Sequence, residues 1–326
     1  MQFNYFFILK YSMFFEIFLI VCTIKLLRKY KDKQSQIMEK LKLYNGVEMP
    51  IIGFGVYQIN DHQECEDAVY NAIKVGYRMI DTAYLYGNEQ AVGKAIARAI
   101  DDKLVTRKDL FIVTKIWLTD FGYEKAYKSI NRSLMLLGLD YVDLILLHEP
   151  FGDIYGAWKA CCEAYKQGIV KAIGVSNFDE CKLTEFNIIA STKPMVNQVE
   201  LNPFFSQTKL VQFMKQEQIV PMAWAPLDEG RHNIFNHPVL SAIGNKYHKT
   251  AAQVALKWNI QRGVVVIPKS THLERIKQNF DLFDFTLTNE DMQAIDELTL
   301  PRSELEDYRS NPELVKRMVS WNPDKK

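Results

Sequence analysis

Eight short apolar runs, each followed by a longer amphipathic stretch, constrain this chain more than any other feature of its sequence. From residue 50 the runs are IIGFGVY, RMID, LFIVTK, VDLILLH, IVKAIGVSN, MVNQVEL, IVPMAWA and VVVIP. Their shortness and their β-branched residues predict strands. Between them lie helix-like segments: CEDAVYNAIKVG, NEQAVGKAIARAI, YEKAYKSINRSLMLLG, IYGAWKACCEAYKQG, ECKLTEFNIIA, KLVQFMKQEQ and AAQVALKWNIQRG. Gly76, Gly138, Gly168 and Gly263 stand where several of these helices should end. Strand then helix, repeated, predicts a parallel sheet, and eight such units over about 270 residues predict an α/β protein of the (β/α)8 TIM-barrel class. A doubly wound sheet would carry G-x-G-x-x-G on its first turn, whereas IGFGVYQIN supplies only the first two glycines.

Charge and cysteine content narrow the functional classes. The 326 residues carry a formal net charge of +1, so no general basic field is available to attract nucleic acid. The five cysteines, Cys22, Cys65, Cys161, Cys162 and Cys181, are odd in number and show no CxxC spacing. That pattern predicts reduced thiols in a cytoplasmic protein, with neither a disulfide framework nor a metal site; the chain is separately expected to be a monomer. Residues 1–37 stand apart as an apolar stretch followed by the basic run KLLRKYKDK. Two readings of this extension stand side by side. Residues 1–27 can associate with a membrane, their basic flank keeping the barrel of residues 38–326 in the cytosol; alternatively, Met38 is the start and the preceding residues are upstream sequence.

In a barrel of this kind chemistry sits where strands end on the C-terminal face. Strand ends here deliver Asp81, Lys115, His148, Ser176, Asn177, Gln198, Trp224 and Lys269. Singly, each has a bland role as a cap, a solvated charge or a packed aromatic. Their arrival at successive strand ends is what argues for one site. A free phenol has a pKa of about 10, too high for ready proton exchange near neutrality. An ammonium beside Tyr86 is expected to lower that value, a carboxylate to hold the ammonium in place, and an imidazole to orient a carbonyl oxygen. Asp81, Tyr86, Lys115 and His148 supply these groups. No side chain can deliver hydride, so the pattern implies a nicotinamide cofactor and a small-molecule carbonyl substrate.

The segments GFGVYQ, GYRMIDTAYLYGNEQAVG, VTKIW, DLILLHEP, IVKAIGVSNF, VNQVELNP, AWAPL and IPKSTHLERIKQN resemble, in order and spacing, the signature segments of the aldo-keto reductases. The likeness is to the prokaryotic-type branch that includes diketogluconate reductases, glyoxal reductases and prostaglandin F synthases. It implies NADPH-dependent reduction of aldehydes and ketones, including small aldehydes, dicarbonyls and keto sugars, with Asp81, Tyr86, Lys115 and His148 as catalytic tetrad and Tyr86 as proton donor. It also implies a cofactor site of Gly55, Val56, Tyr57, Asp81, Ser176, Asn177, Gln198, Trp224 and Leu227. Lys269, Ser270 and Arg275 would take the adenosine 2′-phosphate, with Gln278 and Asn279 at adenine. Tyr57, Trp117 and His148 would touch substrate, Val56 would help wall the pocket, and Tyr84 would pack. Two departures stand out: Glu149 follows His148 where relatives carry a neutral or aromatic residue, and Asn202 stands where relatives commonly have histidine. The acidic residues Glu304, Glu306 and Asp307 fall in the segment that contacts substrate in relatives. The alternative function is an NADPH-binding sensor or channel-associated subunit of the same fold that does not turn over.

Overall fold

A computed structural model describes residues 39–301 and 311–321. The expected extension of residues 1–37 and the acidic Glu304, Glu306 and Asp307 lie outside the described residues. Among those described, no helix is long and apolar enough to cross a membrane.

A small antiparallel hairpin, β1 (Lys40–Lys42) and β2 (Glu48–Pro50), precedes the main sheet. Eight parallel strands follow: β3 (Phe54–Gly55), β4 (Met79–Asp81), β5 (Phe111–Ile116), β6 (Leu144–Leu147), β7 (Ile173–Ser176), β8 (Val196–Glu200), β9 (Val220–Trp224) and β10 (Val265–Val266). Each pairs with its sequence neighbour. The ring closes where Ile52 bridges Val266 in parallel, with the Gly53 amide donating to Val266 O at 2.8 Å and the Val266 amide to Ile51 O at 3.0 Å. All eight strand-like runs therefore form barrel strands. Central strands such as β5 and β6 are buried along their whole length, which is why they read as continuous apolar runs.

The predicted helices lie between the strands as α1 (His62–Val75), α2 (Glu89–Asp101), α3 (Tyr123–Leu137), α4 (Ile154–Lys166), α5 (Glu180–Ile189), α6 (Thr208–Gln216), then α7 (Pro238–Tyr247) and α8 (Ala251–Gln261). Of these, α7 has no counterpart among the predicted segments. Aspartate side chains cap several starts: Asp61 accepts from the Glu64 amide, Asp153 from Gly156 and Asp179 from Lys182. After the eighth strand comes the helix expected behind Lys269 and Ser270, α9 (Leu273–Phe280), while two further helices went unread in the sequence, α10 (Asn289–Asp296) and α11 (Pro312–Ser320). The last is capped by Asn311, whose side chain accepts from the Glu313 and Leu314 amides.

Register decides which side chains meet. Asp81 on β4 pairs with Val113 on β5, so Lys115, two residues farther along, points to the same face and can reach back to the carboxylate. Ser176 on β7 pairs with Gln198 on β8, bringing two further polar residues to the same end of the barrel.

Gly93 marks where α2 meets α3. A Cβ there would lie 2.4 Å from the carbonyl oxygen of Leu137, a contact with backbone that no rotamer change relieves. Helix propensity alone favours Gly93→Ala by about 1 kcal/mol, yet overpacking typically costs about 1–3 kcal/mol. The expected outcome is net destabilisation in urea unfolding with an unchanged m-value; a stabilised variant would show that the two helices separate freely.

Candidate active site

Asp81 ends β4, and the chain then turns through a single 3-10 turn, Tyr84–Tyr86. The Tyr86 amide donates to Ala83 O and the Gly87 amide to Tyr84 O, each at 3.0 Å, with Gly87 in the left-handed region at φ 71°. The tight turn sends the two tyrosines apart. Tyr84 is buried beneath the Arg132 guanidinium, which sits 3.4 Å from its ring centroid, whereas Tyr86 faces a cavity of about 1120 Å³ at the C-terminal end of the barrel.

Three of the four expected tetrad residues are joined by hydrogen bonds. The Lys115 ammonium donates to Asp81 Oδ1 at 2.6 Å, to Thr82 O at 3.0 Å and to Tyr86 Oη at 3.1 Å. Its three protons thus have three acceptors. Gln198 Nε2 donates to the other oxygen, Asp81 Oδ2, at 2.8 Å. His148 completes the group with its ring 5.7 Å from that of Tyr86, edge to face. Trp117 packs edge-on against the other side of the imidazole at 5.1 Å.

Because the Tyr86 oxygen accepts from Lys115, its own proton is free to serve a ligand in the cavity. Burial raises the Tyr86 pKa well above 10, and the carboxylate of Asp81, the Tyr57 phenol and Glu149 push it the same way. The expected lowering by Lys115 is therefore reversed: the phenol is enclosed on nearly every side, and desolvation of its anion outweighs the one ammonium beside it. Burial also lowers the Lys115 pKa, opposed by Asp81. His148 is driven well below 6.5 by burial and by the Lys115 charge, so its imidazole is neutral near pH 7. His148 Nδ1 is buried without a hydrogen-bond partner among the described residues. A proton there would have no acceptor, so the neutral ring carries it on Nε2, the nitrogen that can donate to a carbonyl oxygen.

Around this group the cavity takes in Gly55, Tyr57, Ser176, Asn177, Gln198, Trp224, Leu227, Lys269, Ser270, Arg275, Gln278 and Asn279. Val56 is not among the lining residues; it is fully buried behind the wall, its amide bonded to Asp81 O at 3.2 Å. Lys115 is likewise buried below the cavity floor and acts on it through Tyr86 and Asp81. Trp224 Nε1 donates to Asn177 Oδ1 at 2.8 Å, and Asn177 adopts the left-handed conformation at φ 64°. The loop Lys269–His272 leads into α9, where Ser270 Oγ accepts from the His272 amide at 3.1 Å; beside it, the exposed Lys269 and Arg275 face the cavity with two cations.

The resemblance pointed to residues 301–318 as a substrate-contacting segment without naming the side chains that form the wall. Leu314, Arg317, Met318 and Trp321 reach the cavity from α11 and its end, and Trp117 Nε1 donates to Trp321 O at 3.1 Å while the two indoles stack at 6.1 Å. Leu314, Met318 and Trp321 repeat at helical spacing, the signal that could have revealed them. Asn202, noted for replacing histidine, is a turn residue: its Oδ1 accepts from the amides of Phe204 and Phe205, each at 3.0 Å. Glu149 lines the cavity.

Residues 51–299 match the model of the aldo/keto reductase family. The chain is 44% identical over 265 residues to the glyoxal reductase of Bacillus subtilis (strain 168), covering 81% of this chain and 94% of that one. It is 46% identical over 258 residues to the 9,11-endoperoxide prostaglandin H2 reductase of Trypanosoma cruzi (strain CL Brener), covering 78% and 90% respectively. Among solved structures, the Bombyx mori aldo-keto reductase in complex with NADP superposes with a TM-score of 0.79 at 35% identity, covering 85% of this chain and 98% of that chain.

The low pKa of His148 makes stability depend on pH. Below its ordinary value of 6.5 the unfolded chain takes up a proton that the folded chain refuses, so folded stability falls as pH falls. The contribution is up to about 1.4 kcal/mol per pH unit. Urea unfolding between pH 6.5 and 5 should be less steep in pH for His148→Phe than for the parent by that amount; equal slopes would place a charged imidazole in the native state.

Proposed function

The chain belongs to the aldo/keto reductase family, and we propose that it reduces aldehydes and ketones to alcohols with NADPH, using Asp81, Tyr86, Lys115 and His148 as its catalytic group. The observation that carries the reading is the contact of one buried ammonium with both Asp81 and Tyr86, at 2.6 and 3.1 Å, under a neutral imidazole in the same cavity. When bound, NADPH supplies the hydride that no side chain can provide. The cavity fits that group. Trp224 offers a flat aromatic wall, Asn177 and Ser176 offer amide and hydroxyl groups suited to a carboxamide, and Lys269, Ser270 and Arg275 offer an anion site at the start of α9.

The residues divide the work on the carbonyl. His148 donates from Nε2 to the carbonyl oxygen and fixes its direction. Tyr86 holds a proton against the same oxygen and releases it as negative charge develops there. Lys115 stabilises the phenolate that remains, and Asp81 keeps Lys115 charged against the cost of burial. Small aldehydes and dicarbonyls are the first substrates to test, in view of the glyoxal reductase among the relatives. The proposal takes the protein as a cytoplasmic monomer. The free state of Cys65, Cys161, Cys162 and Cys181 supports a reducing compartment.

Two sets of variants test this reading. Tyr86→Phe removes one hydroxyl and should lower kcat with methylglyoxal by about 10²- to 10⁴-fold while NADPH still binds; Tyr84→Phe, outside the cavity, should stay within a few-fold of the parent. Reversal of the two results would mean that the register of the barrel mouth is wrong. Replacing Lys269 and Arg275 together by alanine should weaken NADPH binding about 10- to 100-fold, as loss of charge-assisted bonds implies, and leave NADH binding nearly unchanged. Equal loss for both nucleotides would remove these residues from the 2′-phosphate.

A further inference from the structure

Glu149 is the departure from the family pattern that sits closest to the chemistry. It is a carboxylate 6% exposed, directly after His148, in the cavity wall. A buried carboxylate is costly unless its oxygens are hydrogen-bonded. One bond is plain: Asn177 Nδ2 donates to Glu149 Oε1 at 3.1 Å, and also to His148 O at 3.3 Å. The other end of the same amide, Asn177 Oδ1, accepts from Trp224 Nε1 at 2.8 Å.

These three residues form a chain with one sense. An indole Nε1–H can only donate, and an ionised carboxylate can only accept. The amide between them satisfies both only with oxygen toward Trp224 and nitrogen toward Glu149. Turned over, it would set two acceptors face to face at one end and two donors at the other. A neutral aromatic at position 149 would leave the amide held on that side by the His148 carbonyl alone.

We propose that Glu149 is a positioning residue for the cofactor wall: it locks the Asn177 amide, and through it the Trp224 indole, in the orientation that receives the nicotinamide. The inference rests on reading this cavity as the cofactor site. Glu149 acts through its bond to Asn177, so its effect appears in binding before it appears in turnover. Glutamine retains an acceptor oxygen and preserves the lock; leucine removes it and leaves Asn177 Nδ2 only the longer bond to the His148 carbonyl.

The experiment is calorimetric titration of the full-length protein with NADPH, alongside thermal unfolding of each variant. Glu149→Leu should bind about tenfold more weakly, the typical cost of a lost hydrogen bond to a charged group, with its melting temperature within a few degrees of the parent. Glu149→Gln should stay within about threefold. A second pair keeps the test independent of whether Glu149→Leu folds. Asn177→Asp tolerates the left-handed backbone but sets a second carboxylate against Glu149, and it should bind poorly. Adding Glu149→Gln supplies an amide donor in place of the repelling charge, and should restore most of the lost affinity. Unchanged binding by folded Glu149→Leu, or a double variant no better than Asn177→Asp alone, overturns the lock. A parent that binds no NADPH overturns the cofactor reading and this inference together; a parent that binds while the variants match it overturns this inference alone.

Discussion

The barrel mouth is organised around one buried charge. The side chains of Lys115 and Asp81 are 0% and 2% exposed, and their charged atoms are 2.6 Å apart. An ammonium taken out of water keeps its proton only if the lost hydration is replaced atom for atom. Here the replacement is Asp81 Oδ1, Thr82 O and Tyr86 Oη, all within 3.1 Å. The second Asp81 oxygen is covered in turn by Gln198, contributed by β8 from across the barrel. Strand register, the Tyr84–Tyr86 turn and the placement of Gln198 can therefore be read as conditions for burying one ammonium. Removing any partner leaves a charge or a lone pair uncompensated, a cost of about 3–5 kcal/mol for one member of a buried pair.

How much of this was legible follows from where the information lies. Barrel strands buried on both faces declare themselves as apolar runs, so all eight could be placed from the sequence. Polar residues ending such runs are conspicuous for the same reason, which is why Asp81, Lys115, His148 and Gln198 could be named before their distances were known. The resemblance pointed to the segment that holds α11, but which side chains build the wall was not legible, because its three apolar positions lie in a short, mostly polar stretch whose partner, Trp117, is about two hundred residues away in sequence. Asn202 illustrates a different limit. Its identity looked like a change in the site, yet its role is local, as the acceptor for two amides of a turn.

The direction of the Tyr86 shift was the least legible quantity. A sequence shows which charges are available, but burial is a property of the assembled surface. Near the phenol, the ammonium favours the anion while Asp81, Tyr57, Glu149 and above all desolvation oppose it. Pairing alone would have made Tyr86 a stronger acid; enclosure makes it a weaker one.

A weaker acid suits this site. An alkoxide is a far stronger base than a phenolate, so a phenol made less acidic by burial still has an acceptor for its proton in the alkoxide. It will not give one up to a neutral carbonyl, nor lose it to solvent near neutral pH. In the proposed reaction Tyr86 is thus protonated when a carbonyl arrives, and transfer becomes favourable only as charge builds on the oxygen that His148 holds. At that moment the Lys115 bond to Tyr86 Oη strengthens, since its acceptor is turning into an anion, and the ammonium already in place requires no reorganisation. In that proposed reaction the buried ion pair at the floor of the cavity would contribute more to the charged transition state than to the neutral ground state, which is the condition for an interaction to accelerate a reaction.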